Sequence, residues 1–149
     1  MKNLLVYVAG PISRGCIVAN VRQAHEAGMA LLKAGIPCIV PHGSCFWGSV
    51  VQQTLLLMPP GSVSRGFVPE VLPTGTVHAD WYGMDLVIVS RCDAVLRLPG
   101  ESVGADLEVR KAEELGLPVF ETVEGVISWA RIRAEGGWYH DVERPPEGL

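Results

Sequence analysis

Four short apolar segments along the chain predict buried β-strands. Leu4 to Ala9 is a continuous apolar run with β-branched and aromatic residues, which is typical of a strand buried on both faces of a parallel sheet. The runs Ile36 to Val40, Asp93 to Leu98 and Leu117 to Phe120 have the same character. Turn residues rich in glycine and proline follow the first three runs, so each strand is expected to end there.

Between these strands, apolar residues recur at helical spacing. The pattern predicts helices over 19–34, 78–90, 102–115 and 122–135, with Gly35 and Gly116 ending the first and third. Residues 43–77 have no clear period and contain many glycines and prolines, so we predict a long loop after the second strand, of a length that is usually functional. The alternation of strands and helices predicts an α/β fold, a single-domain doubly wound parallel sheet of the Rossmann or flavodoxin-like type.

The expected domain covers residues 1–135, and residues 136–149 form a C-terminal tail. In open parallel sheets of this kind, ligands bind beyond the carboxyl ends of the strands, near the point where the strand order reverses. Two glycine-containing loops leave strands at that edge, Gly10–Gly15 and Pro99–Gly104, and we expect the site between them.

Composition narrows the choice of partners. Hydrophobic residues make up 48% of the 149 residues and charged residues 19%, which is typical of a globular domain, and no apolar run reaches the roughly 18 residues of a membrane helix. The net charge of −4 and the absence of a basic block argue against a nucleic acid polymer, whereas a small phosphorylated ligand needs only local donors. Four dispersed cysteines and no recognisable secretory signal predict a cytoplasmic location.

The third predicted helix contains the first candidate residues. Its apolar stripe runs through Ala105, Val109, Ala112, Leu115 and Gly116, and Glu108 falls at the edge of that stripe. Glu108 is either a solvated boundary residue or a carboxylate with a task, and the helix dipole is expected to help keep it ionised. Ser102 is either a helix N-cap or part of a phosphate site, and Gly104 allows close approach of a ligand.

Other candidates are spread over the chain. Ser13 and Arg14 are either anion donors or members of a plain turn, and Asp85 is expected to face inward from its helix. Arg97 either reaches a ligand or pairs with a carboxylate, and His42, just past the second strand, is well placed to touch a ligand. Cys38, His42 and Cys45 resemble a partial metal site that lacks a fourth ligand, so we expect no metal.

Three segments of the chain resemble the nucleoside 2-deoxyribosyltransferase superfamily. They are VYVAGPISRG at 6–15, WYGMDLVIVSRCDAVLRLPG at 81–100 and SVGADLEVRKAEELGLPV at 102–119, about a third of the chain. Within the superfamily, the resemblance is to the 2′-deoxynucleoside 5′-monophosphate N-hydrolases, the related CMP hydrolases and short bacterial and phage members.

The resemblance implies a role for each matching residue. Glu108 stands at the position of the catalytic nucleophile, and Asp85 at that of the aspartate near the reacting sugar and base. Tyr7 and Gly10 match pocket residues of the first strand. Ser102 and Gly104 match the phosphate-binding loop, and Arg14 lies near a phosphate-binding arginine. Pro11 departs from the pattern, because the hydrolases often have serine there.

The implied activity is cleavage of the base–sugar bond of a (deoxy)nucleoside 5′-monophosphate through a covalent glycosyl-Glu108 intermediate, without a metal or organic cofactor. One alternative is a nucleoside 2-deoxyribosyltransferase that exchanges bases. Another is a nucleotide-binding sensor without turnover. The resemblance further implies a homodimer or a larger homo-oligomer, with a small nucleoside or nucleotide as the ligand.

Overall fold

The computed structural model describes residues 4–43 and 77–135. In chain order the elements are β1 (Val6–Ala9), α1 (Ile17–Lys33), β2 (Cys38–Ile39), α2 (Val77–Val89), β3 (Ala94–Arg97), α3 (Val103–Glu114), β4 (Val119–Phe120) and α4 (Val123–Glu135). Most of the predicted loop 43–77 and the whole tail 136–149 lie outside the described residues.

The four strands form one parallel sheet in the order β2-β1-β3-β4. The predicted α/β fold with a parallel sheet is therefore confirmed. From β1 the chain steps outward to β2, and it then returns to the other side of β1 to form β3 and β4. The strand order consequently reverses between β1 and β3, whose carboxyl ends lie side by side because Ala9 is in register with Arg97.

Helices cover both faces of the sheet, which explains why its strands are apolar throughout. On one face, Val6 and Val8 of β1 pack in a cluster with residues of α1 and α4. On the other face, Tyr7 and Ala9 pack with residues of α2 and α3. Because successive side chains of a strand point to opposite faces, a strand between two helical layers must be apolar at every position.

The buried face of α3 differs from the predicted stripe. Ala105, Glu108 and Ala112 are its buried residues, whereas Leu115 and Gly116 are exposed. The prediction that Glu108 lies at the edge of the stripe is thus wrong: it belongs to the buried face. The helix turns this carboxylate toward β1 because Ala105 and Ala112, three residues before it and four after it, pack against the sheet.

Candidate active site

The two predicted ligand loops meet at the carboxyl edge of the sheet. The Leu98 amide donates to the Ala9 carbonyl at 2.8 Å, which carries the pairing of β1 and β3 up to the loops. Gly100 has φ +115°, and a Cβ atom there would lie 2.9 Å from Cγ of Pro11. Only glycine combines that backbone angle with so close an approach, so the position keeps the two loops in contact.

A buried carboxylate pair stands beside this edge. The Tyr7 hydroxyl of β1 donates to Oε1 of Glu108 on α3 at 2.8 Å, across 101 positions of sequence. Tyr7 is fully buried, Glu108 is 7% exposed and Asp85 of α2 is 5% exposed. The structure therefore brings together Glu108 and Asp85, the two residues to which the resemblance gives catalytic roles, and Tyr7, which it gives to the pocket.

Asp85 completes the group, and one of its oxygens is unpaired among the described residues. Its Oδ1 is buried and has no hydrogen-bond partner, although its carboxyl group is close enough to the Tyr7 hydroxyl for the two groups to influence each other's pKa. The hydroxyl has a single hydrogen, and the 2.8 Å contact gives that hydrogen to Glu108. Asp85 is thus left with an acceptor atom that a ligand or a proton can use.

Burial controls the protonation of the pair. The pKa of Glu108 is raised to about 8, chiefly by desolvation and also by the nearby Asp85, although the Tyr7 hydrogen bond and Arg97 act to lower it. Desolvation also raises the pKa of Asp85, against the Tyr7 contact. The helix dipole acts mainly in the first turn, and Glu108 lies beyond it. Any help that the dipole gives to the Glu108 anion is outweighed by desolvation, because the pKa is raised overall.

The residues predicted to bind a phosphate lie in two places, the start of α3 and the β1–α1 turn. Ser102 is the N-cap, and its side-chain oxygen accepts the Ala105 amide at 3.2 Å. The capping interpretation is therefore confirmed, and the serine hydroxyl retains a hydrogen to donate. Gly104 lies under the ring of Tyr82, with Cε1 2.8 Å from where a Cβ atom would stand, so its close approach is to a side chain of α2. Ser13 and Arg14 are exposed in the β1–α1 turn.

Asn20 fixes that turn and is a residue the sequence reasoning missed. Its side-chain amide donates to the carbonyl of Ile12 at 3.0 Å and to that of Arg14 at 2.7 Å. The sequence signal was an asparagine in the first turn of a helix, close after a glycine-rich turn, where such side chains often bind the backbone. Asn20 thus sets the conformation of the segment that presents Ser13 and Arg14.

His42 lies just past β2 and is 1% exposed. Its Nε2 would be 3.2 Å from a Cβ atom at Gly10, so both predicted residues belong to one contact. Neither ring nitrogen has a hydrogen bond of regular geometry, although the carbonyls of Pro11 and Gly10 are close enough to favour a protonated ring. Burial outweighs them and lowers the pKa of His42 to about 4, which makes the ring neutral at physiological pH.

The other polar candidates have structural partners. Asp93 accepts the Leu5 amide at 2.8 Å, and Arg97 pairs with the Asp106 carboxylate rather than projecting into open space. Within the described ranges no three histidine, cysteine or acidic side chains are grouped as metal ligands, and Cys45 of the partial metal motif lies outside those ranges. None of the described helices is both long and apolar enough to cross a bilayer.

Comparison with known proteins adds no assignment to this geometry. No protein-family profile matches the chain, and no curated protein is significantly similar to it. The case for function therefore rests on the arrangement of Tyr7, Asp85 and Glu108.

Proposed function

We propose that the protein is an N-glycosidase that cleaves the base–sugar bond of a (deoxy)nucleoside 5′-monophosphate, with Glu108 as the covalent nucleophile. The observation that carries the proposal is the buried pair of carboxyl groups beside the Tyr7 hydroxyl, of which Glu108 accepts its hydrogen and Asp85 lies close to it. Two carboxyl groups in such surroundings are the apparatus of a retaining glycosidase, and a buried carboxylate is costly unless it has partners or a task.

The Tyr7 hydroxyl lies close to both carboxyl groups, which suggests how one proton is used in this reaction. In the unliganded protein near neutral pH, one proton resides mainly on Glu108, whose pKa is about 8. When the Tyr7 hydroxyl turns its hydrogen from Glu108 to Asp85, it can pass that hydrogen to Asp85 and take the proton of Glu108, which leaves Glu108 as an anion and Asp85 as an acid. Glu108 then attacks C1′, the C1′–N bond breaks, and Asp85 gives the proton to the departing base nitrogen. Water attacks C1′ next, Asp85 takes its proton, and the bond to Glu108 breaks.

The phosphate is assigned to the start of α3. The first amides of a helix have no partner within it and attract anions, and the Ser102 hydroxyl adds a donor beside them. The turn with Ser13 and Arg14 follows Pro11, which touches Gly100 of the other loop. The Arg14 side chain is exposed, so it can change rotamer to reach a phosphate. We assign His42, beside Gly10, to the base or sugar, because its neutral ring offers one donor and one acceptor.

The proposal includes a doubly wound sheet of the Rossmann or flavodoxin-like type. The helical layers on both faces of the sheet support this part of it. Exposed Met84 and Val87 on α2 support a homodimer or larger homo-oligomer, which size-exclusion chromatography with light scattering tests. Cys16, Cys38 and Cys92 are free thiols, in keeping with the proposed cytoplasmic location.

The test is incubation of the purified protein with a panel of nucleosides and their 5′-monophosphates, with chromatography of the released base. Glu108→Ala and Glu108→Gln are expected to abolish release, whereas Glu113→Gln, an exposed glutamate of the same helix, serves as the matched control. Mass spectrometry of the quenched reaction should find the sugar phosphate bonded to the peptide containing Glu108.

The alternatives give different results in the same assay. A new nucleoside formed when an acceptor base is added identifies a deoxyribosyltransferase. Tight nucleotide binding without base release, unchanged by Glu108→Gln, identifies a sensor and refutes the proposed chemistry.

A further inference from the structure

Arg97 is a charged residue in an otherwise apolar strand. Its hydrogen-bond partners lie in the turn after β3 and in the first turn of α3. It ends β3 in register with Ala9, so it lies on the same face of the sheet as Tyr7 and Val95. Its guanidinium donates to the carbonyls of Leu98 and Gly100, the latter at 2.9 Å. The same group donates to Oδ1 of Asp106, in the first turn of α3, at 2.9 Å.

These contacts join the three parts of the chain that make the site. The two carbonyls belong to the turn that follows β3, and this turn touches Pro11 through Gly100. Asp106 is two residues before Glu108 on α3, so Arg97 also ties the start of the nucleophile's helix to the strand below it. Stability is a poor explanation for this pairing, because Asp106 is 63% exposed and exposed ion pairs contribute little.

Arg97 also acts on the charge of Glu108. Among the residues that the structure describes, the groups that act on this carboxyl are Tyr7 from β1, Asp85 from α2 and Arg97 from β3, and of these three Arg97 is the cation. Arg97 lowers the pKa of Glu108, whereas burial and Asp85 raise it. The Arg97 side chain is 17% exposed, so water screens its field less than that of a surface arginine.

We propose that Arg97 is a positioning residue of the glycosidase site, which holds the turn 98–102 and the first turn of α3 together and supplies the positive charge that favours the Glu108 anion. This inference rests on the proposed function for its catalytic consequence, but its electrostatic part concerns the protein itself. A guanidinium suits both tasks, because it is permanently charged and its donors form a rigid planar fork.

Two substitutions separate the charge from the fork. Arg97→Lys keeps the charge and loses the planar fork, whereas Arg97→Gln keeps an amide donor for the turn and loses the charge. Arg110→Gln is the matched control, because it removes an exposed arginine of α3 that is not among the groups acting on Glu108.

The first readout needs no activity: the titration midpoint of Glu108, followed by NMR in protein labelled at the glutamate side-chain carboxyl carbon and assigned with Glu108→Gln. We expect Arg97→Gln to move the midpoint upward, while Arg97→Lys and Arg110→Gln leave it in place. A midpoint in Arg97→Gln equal to that in Arg110→Gln would overturn the inference, whether or not any substrate is found.

The second readout is base release. The active form holds the proton that is lost near pH 8, so the alkaline limb of the kcat/KM profile should move to higher pH in Arg97→Gln alone. Loss of the fork should lower kcat/KM in both Arg97 variants, on the order of a hundredfold, because a shift of about 1 Å in a reacting group has that effect. Normal kcat/KM in Arg97→Lys would refute the positioning role. If the wild type releases no base, the proposed function fails, and the NMR titration still decides whether Arg97 acts on Glu108.

Discussion

Replacing Glu108 by glutamine should stabilise the folded protein, and increasingly so as the pH rises. The substitution keeps the size of the side chain and an oxygen that accepts the Tyr7 hydroxyl, but it removes the group that must ionise. Glu108 is 7% exposed, so its charged form is poorly solvated in the folded state. In the unfolded chain the same carboxyl group is in water and ionises at its ordinary pKa of 4.5.

The magnitude follows from the difference between those two states. Because the folded pKa is raised to about 8, the folded state holds a proton that the unfolded state releases between pH 4.5 and pH 8. Stability is fully present below pH 4.5, falls by about 1.4 kcal/mol per pH unit above it, and is level again above pH 8. The accumulated loss at pH 7 is roughly 3 kcal/mol, a large part of the 5–15 kcal/mol of a typical domain.

The assay is urea denaturation of wild type and Glu108→Gln at several pH values between about pH 5 and pH 8. The difference in free energy of unfolding between the two proteins isolates Glu108, because groups that titrate alike in both proteins cancel. Glu113→Gln controls for net charge, and its difference from wild type should stay near zero throughout. Parallel curves for wild type and Glu108→Gln would refute the reasoning, because they would mean that Glu108 ionises equally well folded and unfolded.

Three further substitutions test the surroundings of the pair. Tyr7→Phe leaves the Glu108 acceptor without its donor, so we expect a loss of about 1–3 kcal/mol in urea denaturation and a higher pKa of Glu108; unchanged values of both would contradict the bond. Gly104→Ala brings a methyl group to 2.8 Å from the Tyr82 ring, which should cost about 1–3 kcal/mol, and a cost that persists in a Tyr82→Ala background would exclude this clash as the cause. His42→Leu removes a ring whose pKa in the folded protein is lowered to about 4, so the wild type loses stability as the pH falls from 6.5 toward 4. The stability of the variant relative to the wild type should therefore increase over that range. A difference that does not change with pH would show that His42 is not buried in its neutral form.

The elements were predictable because their signals are local. Every predicted strand and helix in the described ranges is present, since apolar runs, helical spacing and glycine stops act within a few residues. The ends of the strands were less predictable. The predicted strand Ile36 to Val40 is reduced to Cys38–Ile39, and Leu117 to Phe120 to Val119–Phe120, because these two outer strands each pair with one neighbour only.

The helical pattern singled out Glu108 but left its role open, and only the resemblance grouped it with Tyr7 and Asp85. The pattern placed Glu108 at the edge of the stripe on α3, because spacing alone does not show that Tyr7 and Asp85 lie opposite that edge. The contact of Tyr82 with Gly104 depends likewise on two helices that meet only in three dimensions, whereas the Asn20 bonds lie within eight residues and had a local signal. Arg97 was recognised as unusual, and the structure selected its ion-pair alternative.

The buried polar groups at the two ends of the sheet differ in how well they are paired. This difference indicates that those at the carboxyl edge serve a function rather than the stability of the fold. At the amino end of β3, Asp93 is satisfied by the Leu5 amide at 2.8 Å, as expected of a residue that only stabilises a fold. At the carboxyl edge, Asp85 and His42 keep unpaired buried atoms, and Glu108 has its pKa raised to about 8. Each of these three groups costs stability that an apolar residue of similar size would not. These groups lie at the edge where parallel sheets bind ligands. Their cost in stability is expected if they bind a substrate, because the substrate provides the missing partners.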